Sequence, residues 1–246
     1  MSTTVAANGR TQPWSGPGIM QSFVKLREDS QLSIETLQNW FDEVYLPAVL
    51  ATGIVKSATH WKAASPNYGK QWMIVYEVED LALVQNNDNH VGGSLKDIPR
   101  TSETFPTEGL VDDFIDFESR ILSQIQLFGS GEHPADEVTT IIYAAMQPAP
   151  DGQKDLDAWY REEHNQQMSE QPGWKRTTRY SPLFQTRNVG KPGGLDFVAL
   201  HQFGEGNKLG KEVEPLDPMT DWTKKCMSEC TSIDAAVYHK VKTLSA

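Results

Sequence analysis

The residues Leu-Asp-Ala-Trp-Tyr-Arg-Glu-Glu-His at positions 156–164 repeat a pattern met earlier, Leu-Gln-Asn-Trp-Phe-Asp-Glu-Val-Tyr at positions 37–45. In both stretches aromatic and apolar residues recur at helical spacing, which predicts a helix with one face turned toward a sheet. A glycine, Gly53 or Gly173, follows where helices often end in a left-handed residue. The stretches lie about 120 residues apart, so we expect two copies of one unit.

Short apolar runs predict strands around each helix. They run over 18–26, 54–62, 72–78 and 121–128 in the first copy, and over 138–146, 174–181, 197–203 and 233–241 in the second. A second helix is expected at 110–120 and at 216–229. The order is βαββαβ, the ferredoxin-like unit. Because the third strands are apolar on both faces, we predict an α+β fold in which two ferredoxin-like repeats pack sheet to sheet as an intramolecular α+β barrel.

This pattern also divides the chain. Residues 1–17, rich in Ser, Thr, Gly and Pro, are expected to form a disordered tail. The N-terminal repeat then covers 18–130 and the C-terminal repeat 131–246. A long polar insertion at 80–109 is either a lid over a pocket or a surface loop.

Composition excludes several classes of protein. A net charge of -11 argues against nucleic acid or an anionic membrane as partner. No run approaches the about 20 apolar residues of a membrane span, and the N-terminus does not look like a signal peptide, so we expect a soluble cytoplasmic protein. Cys226 and Cys230, both expected on one helix, make a poor disulfide and an incomplete metal site, so no metal is predicted. A monomer suffices for this fold, although exposed strand edges could pair into a homodimer.

A resemblance to a known family rests on the C-terminal copy. The string Trp-Tyr-Arg-Glu-Glu-His at 159–164, followed by Pro-Gly-Trp-Lys-Arg at 172–176 and Arg-Tyr at 179–180, resembles the motif of EthD-like proteins of the dimeric α+β barrel superfamily. Tandem chains of this kind look like those of fungal secondary metabolism. The resemblance implies a broad group of cofactor-free decarboxylases, cyclases, isomerases and quinone-forming monooxygenases, and some members of the superfamily degrade haem.

Three residues of the C-terminal copy are the candidates for catalysis. His164 lies on the helix stripe that faces the sheet, and a neutral imidazole can exchange a proton near neutral pH. His201 is a polar tip on an apolar strand face, and Tyr180 could donate a hydrogen bond to a developing oxyanion. Each could equally be an ordinary core residue, such as a buried histidine satisfied by a carbonyl. Trp159 and Arg176 are the predicted substrate contacts in this copy.

The N-terminal copy offers a corresponding set. Tyr45 stands at the place of His164, Tyr76 at the place of His201, and His60 aligns with Tyr180. These three residues are predicted to bind substrate if this half holds a second pocket; alternatively, the half is a degenerate partner that only completes the barrel. Tyr45 cannot act as a base at neutral pH unless its pKa is strongly shifted. The C-terminal copy is favoured for catalysis.

The sequence favours a cofactor-independent enzyme, of the lyase or isomerase type, that acts on a hydrophobic, oxygenated, polyketide-like molecule through an enolate-like anion. Decarboxylation, dehydration, isomerisation and cyclisation remain open. The alternatives are a cofactor-free monooxygenase, a non-catalytic small-molecule or haem-binding protein, and an interaction protein without a cavity. Nucleotide-binding glycine motifs and the zinc-protease motif are absent from the sequence.

Overall fold

The computed structural model describes residues 13–85, 95, 97–129, 137–188 and 195–246. Eight strands dominate the fold, and every neighbouring pair is antiparallel. They are β1 Gly18–Leu26, β2 Ser57–Ala63, β3 Trp72–Val78, β4 Ile115–Phe128, β5 Thr140–Pro148, β6 Trp174–Arg187, β7 Phe197–Phe203 and β8 Cys230–Ser245.

The strands close into a barrel in the order β1-β3-β2-β8-β5-β7-β6-β4, with β4 pairing back to β1. The N-terminal half contributes β4-β1-β3-β2 and the C-terminal half contributes β8-β5-β7-β6, so the strand order is the same in both halves. The halves meet at two seams, β2 with β8 and β4 with β6. Each of the eight strands that the structure describes has two neighbours, so the described barrel has no open edge of the kind considered above for pairing between chains.

Each half places a broken helix against the outside of the barrel. In the N-terminal half α1 Ile34–Trp40 and α2 Leu46–Ala51 flank a π-helical turn, and in the C-terminal half α3 Gln153–Trp159 and α4 Asn165–Ser169 do the same. The π-helical turns are Phe41–Tyr45 and Tyr160–His164. The predicted helix stripe faces the sheet in both halves. Leu37 and Phe41 pack with strand residues in the N-terminal half, and Leu156 and Tyr160 do so in the C-terminal half.

The glycines that follow these helices have the predicted backbone conformation. Gly53 has φ 70° and Gly173 has φ 76°, both in the left-handed region. The surroundings differ, since a Cβ at Gly173 would lie 2.6 Å from the backbone nitrogen of Asn207, whereas nothing lies within 4 Å of one at Gly53.

The second helix predicted in the N-terminal half, at 110–120, is wrong. A single 3-10 turn at Val111–Asp113 leads directly into β4. Side chains of residues 115–122 point alternately to the two faces of the sheet, as in any strand. Ile115 and Ile121 pack toward the helices, whereas Leu122 packs inside the barrel. The described part of this half therefore lacks the second helix of a complete βαββαβ unit.

The C-terminal half does contain its second helix, α5 Asp221–Glu229, which begins later than predicted. The Thr220 side chain accepts a hydrogen bond from the backbone of Thr223 and caps this helix. Cys230 begins β8 rather than continuing the helix, and both cysteines are free.

Residues 13–17, assigned above to the tail, pack on the N-terminal half. Trp14 contacts the apolar layer under the helices, and the backbone oxygen of Gly16 accepts a hydrogen bond from Leu81. Residues 1–12 lie outside the described residues.

The core has two kinds of layer. The barrel interior draws on both halves, and the rings of Phe23 and Tyr143 meet there edge to face with centroids 5.3 Å apart. It also holds a buried ion pair between Arg120 and Glu118, and the Arg120 guanidinium donates to the Tyr143 hydroxyl at 3.1 Å. The second kind of layer lies between the outer barrel face and the helices, and we call this outer face the helix-facing side.

Candidate active site

Two adjoining cavities lie on the helix-facing side of the N-terminal half, with volumes of about 150 and 60 Å³. Four residues line both of them: Ser22, Tyr45, Tyr76 and Ser119. We call the two cavities together the Tyr45 pocket. The pocket is partly open to solvent, so a ligand can enter from outside.

The polar lining of the pocket includes two phenols, Tyr45 and Tyr76, and the guanidinium of Arg100. Burial raises the pKa of Tyr45, opposed in part by Arg100, and burial raises the pKa of Tyr76 well above its ordinary value. Both phenols are therefore protonated at neutral pH and can donate hydrogen bonds. Arg100 comes from the 80–109 insertion and is held by Asp112, with Nη2 2.6 Å from Oδ1. The Nε of Arg100 is buried and, within the described residues, has no hydrogen-bond partner.

Two further hydroxyls lie on the floor of the pocket. Ser22 on β1 and Ser119 on β4 are directly opposite in the strand register, and their Oγ atoms are 2.8 Å apart. Each can still exchange a hydrogen bond with a ligand, because a hydroxyl has one donor and two acceptor sites.

The rest of the pocket wall is mainly apolar and aromatic. Trp40, Phe41 and Ile74 line one cavity, and Phe184 from the C-terminal half lines the other. Trp40 fixes the position of Tyr45, since their ring centroids are 5.0 Å apart. Such a wall favours an apolar ligand, whose orientation the few polar groups then determine.

His60 lies next to this pocket rather than in its wall. Its Nδ1 is 3.2 Å from Oδ1 of Asp42, and Nζ of Lys242 is 3.2 Å from the other oxygen of the same carboxylate. The Nε2 of His60 is buried and has no hydrogen-bond partner in the part of the chain that the structure describes. Burial lowers the pKa of His60, while Asp42 raises it and Lys242 lowers it further.

The C-terminal half places His164 and His201 where the N-terminal half places Tyr45 and Tyr76. The structure brings the two histidines together, with ring centroids 5.3 Å apart and planes at 84°. His164 stacks on Trp159 at 4.2 Å, and its Nδ1 is buried with no hydrogen-bond partner among the described residues. Nδ1 of His201 is 2.8 Å from Oγ1 of Thr177.

Both histidines are neutral at pH 7. Burial, the neighbouring His201 and Arg179 together hold the pKa of His164 well below 6.5. Burial and Arg179 lower the pKa of His201 to about 3. The Trp159 indole donates to Thr223 at 3.1 Å, so this predicted substrate contact is already part of the core.

Tyr180 is not part of this histidine cluster. It packs in the barrel interior, whereas Thr177 and Arg179 on the same strand contact His201 and Tyr160 on the helix-facing side. The prediction that Tyr180 acts beside His164 is therefore wrong, because the sheet separates the two side chains. Arg176 also lies away from the cluster, donating from Nε to Gln202 at 2.6 Å.

The alignment of His60 with Tyr180 is also wrong by one residue. His60 pairs with Ile74 across the sheet, and the residue in the equivalent register of the C-terminal half is Arg179, which pairs with Ala199. The shift of one residue moves the side chain to the other face. His60 therefore lies on the helix-facing side with Tyr45 and Tyr76.

Sequence reasoning missed Arg100, Asp42 and the Ser22–Ser119 pair. Arg100 comes from the 80–109 insertion, where the sequence gives no period from which to place a side chain. The serines meet only because of the β1–β4 register. Asp42 could have been found, since it follows Phe41 in the quoted helix stretch. Residues 86–94 and 96, a third of the segment for which a lid was considered, lie outside the described residues.

None of the helices in the described ranges is long and apolar enough to cross a membrane. No group of three or more His, Cys, Asp or Glu side chains in those ranges is arranged to hold a metal ion.

Comparison with known proteins identifies the fold. No protein-family model matches the chain, and no curated protein matches it either. Among solved structures, an anthrone oxidase-like protein is similar with a TM-score of 0.55 and 12% identity, over 94% of this chain and 93% of that one. A putative monooxygenase from Fusobacterium nucleatum is similar with a TM-score of 0.54 and 12% identity, over 94% and 95%. Such likenesses show the fold alone: these proteins share the overall fold of this chain, whose eight described strands close into a barrel.

Proposed function

We propose that this protein is an enzyme that binds a small, hydrophobic, oxygenated molecule in the Tyr45 pocket and stabilises its enolate form. One observation carries the proposal: two protonated phenols and the Arg100 guanidinium converge on an apolar pocket. Hydrogen-bond donors in such surroundings stabilise a developing oxyanion more strongly than water-exposed donors do.

The size of the pocket limits the ligand. A cavity of about 150 Å³ holds one benzene-sized ring, and the adjoining space of about 60 Å³ holds substituents or part of a second ring. The ligand that fits is a ketone or phenol with one or two rings. Its oxygen would be directed toward Tyr45 and Arg100, and its hydrocarbon part toward Trp40 and Phe41.

An enolate is common to several reactions. Decarboxylation, dehydration, double-bond isomerisation and cyclisation of such molecules can all pass through one, and we propose a lyase or isomerase of this kind, from the EthD-like branch of the superfamily. The chain's own residues would bind the ligand, orient its oxygen and exclude water from the apolar side of the ring.

A second candidate is a monooxygenase or oxidase in which the same enolate reacts with dioxygen. The names of the two similar structures, anthrone oxidase-like and putative monooxygenase, favour it. With 1-naphthol as the two-ring probe, one dioxygen would be consumed while the ring C–H opposite the hydroxyl becomes a carbonyl and water is released. An oxygen electrode and the absorbance of 1,4-naphthoquinone measure this reaction directly.

The binding test uses 2-tetralone, a bicyclic ketone, and the tryptophan fluorescence of the protein. We expect saturable quenching, about tenfold weaker binding for Arg100→Met and a smaller loss for Tyr45→Phe, since hydrogen bonds from charged donors are the stronger ones. Arg161→Met, on the surface of the C-terminal half, is the matched control and should bind normally. Binding that is absent, or equal in all four proteins, overturns the proposal.

A further inference from the structure

Among the described residues, no side chain that lines the Tyr45 pocket takes up a proton at neutral pH. Its polar lining consists of two phenols with raised pKa values, two arginines and three hydroxyl side chains, which are Tyr45, Tyr76, Arg100, Arg120, Ser22, Ser119 and Thr186. These groups stabilise an enolate once it exists, but they do not remove the proton that creates it. If the proposed function is correct, a base must lie beside the pocket.

One imidazole, that of His60, lies directly behind the side chains that line the Tyr45 pocket. His60 pairs with Ile74 across β2 and β3, and Ile74 lines the pocket. The ring of Phe41, which also lines the pocket, meets His60 edge to face with centroids 5.9 Å apart. His60 is thus separated from the pocket by one layer of side chains.

Asp42 prepares His60 to accept a proton. Oδ1 of Asp42 lies 3.2 Å from Nδ1 of His60 without a hydrogen bond between them, and its negative charge favours the tautomer with the proton on Nδ1 and the lone pair on Nε2. The residue is only 5% exposed, and within the described chain Nε2 has no partner of its own. A buried acceptor without a partner costs free energy, which a bound water or ligand would recover.

We propose that His60, oriented by Asp42, is the proton acceptor for the ligand in the Tyr45 pocket and acts through one water molecule held at Nε2. The proposal rests on the proposed function. In the step, the C–H bond next to the ligand carbonyl breaks, its proton passes through the water to Nε2, and the electron pair moves to the carbonyl oxygen. The enolate oxygen then lies beside Tyr45 and Arg100, and Asp42 stabilises the imidazolium.

The two halves differ at this position. Arg179, the residue of the C-terminal half in the equivalent register, is a cation that cannot accept a proton near neutral pH. The C-terminal half therefore has no imidazole at the position of His60.

Two charges face His60 among the described residues, Asp42 from the π-helical turn and Lys242 from β8, and they act in opposite directions. Asp42 raises the pKa of His60 and Lys242 lowers it. Because the base must be neutral, activity should rise with pH through this pKa. Removing either charge should therefore change the pH at which activity rises, and the direction of the change depends on which charge is removed.

The experiment follows the exchange of the α-protons of 2-tetralone for deuterium by proton NMR, over pH 5–9, with the buffer rate subtracted. We expect His60→Gln to lower exchange at least about a hundredfold, the usual scale for loss of a general base, with fluorescence binding retained. Asp42→Asn should move the rise to lower pH, and Lys242→Met should move it to higher pH. The side chains of Asp42 and Lys242 are partly exposed, so we expect these two variants to fold. They therefore test the role of His60 even if His60→Gln fails to fold.

The outcomes separate the two proposals. Binding of 2-tetralone with exchange at the buffer rate, or with His60→Gln within threefold of the natural protein, overturns the role of His60 and leaves the proposed function standing. Shifts of the two charge variants in the same direction, or no shift, also overturn it. Failure of the natural protein to bind the ketone overturns the proposed function, and this proposal with it.

Discussion

His164 and His201 face each other edge to face with ring centroids 5.3 Å apart, at the positions that Tyr45 and Tyr76 hold in the other half. The histidines are packed by Trp159 and Tyr160. The tyrosines instead line a cavity. One arrangement of helix and sheet thus provides a packed cluster in one half and a pocket in the other.

This histidine pair should make stability depend on pH. Because the folded protein holds both pKa values below the ordinary 6.5, the unfolded chain binds more protons as pH falls below that value, and the folded state is destabilised. For His201, with a pKa of about 3, the loss is about 1.4 kcal/mol for each pH unit below 6.5. Urea unfolding at pH 7.5, 6.5 and 5.5 measures it, with His201→Gln as the variant that should flatten the slope. Equal stability at all three pH values would contradict the prediction.

His164→Ala distinguishes the two possible locations of the chemistry. If the Tyr45 pocket performs it, exchange of the 2-tetralone protons in this variant stays within about twofold of the natural protein, because the two sites lie in different halves. A hundredfold loss in a folded variant would instead place the base in the C-terminal half, as the sequence predicts.

Arg120→Met should destabilise the barrel strongly. The substitution leaves the Glu118 carboxylate, only 9% exposed in its side chain, without its closest cation, and breaking a buried pair in this way costs about 3–5 kcal/mol. Lys70, 3.8 Å from the same carboxylate, retains part of the interaction. The double variant Glu118→Gln/Arg120→Met should recover much of the loss, since no unpaired charge remains. Thermal unfolding of the three proteins measures this, and a double variant less stable than Arg120→Met would refute the explanation.

Gly53 and Gly173 allow the cost of a close contact with neighbouring backbone to be separated from the cost of a left-handed backbone. Gly53→Ala places a side chain in the left-handed region with open space around it, at a cost of about 1–2 kcal/mol. Gly173→Ala carries the same backbone penalty, and its Cβ also meets the backbone of Asn207, so it should cost clearly more. Denaturant midpoints compare the two variants. Equal midpoints would mean that the Asn207 loop moves aside freely.

Much of the barrel could be predicted from apolar patterns. The bounds of β3 and β7 match the predicted 72–78 and 197–203, since a run that is apolar on both faces and bounded by polar loops has few alternatives. The same reasoning failed at 110–120. There Ile115 and Phe117, assigned to a helix from the sequence, instead alternate along a strand whose other face carries Arg120 and Glu118 into the barrel.

The site was only partly predictable. Tyr45 and Tyr76 were found because the internal repeat pairs them with His164 and His201, and the structure confirms that positional pairing. The face of Tyr180 depends on strand register, and a β-bulge between Trp174 and Arg176 in β6 shifts that register. Arg100 reaches the pocket from a loop, where no periodicity indicates direction.

Closure of the barrel within one polypeptide has a consequence for how its two halves can change. In an assembly of identical subunits, any substitution appears in both pockets at once. Here Tyr45 and His164 are encoded separately, so one half can lose its cavity and serve as a rigid support while the other keeps a ligand site. Division of labour between the halves is thus open to selection one codon at a time.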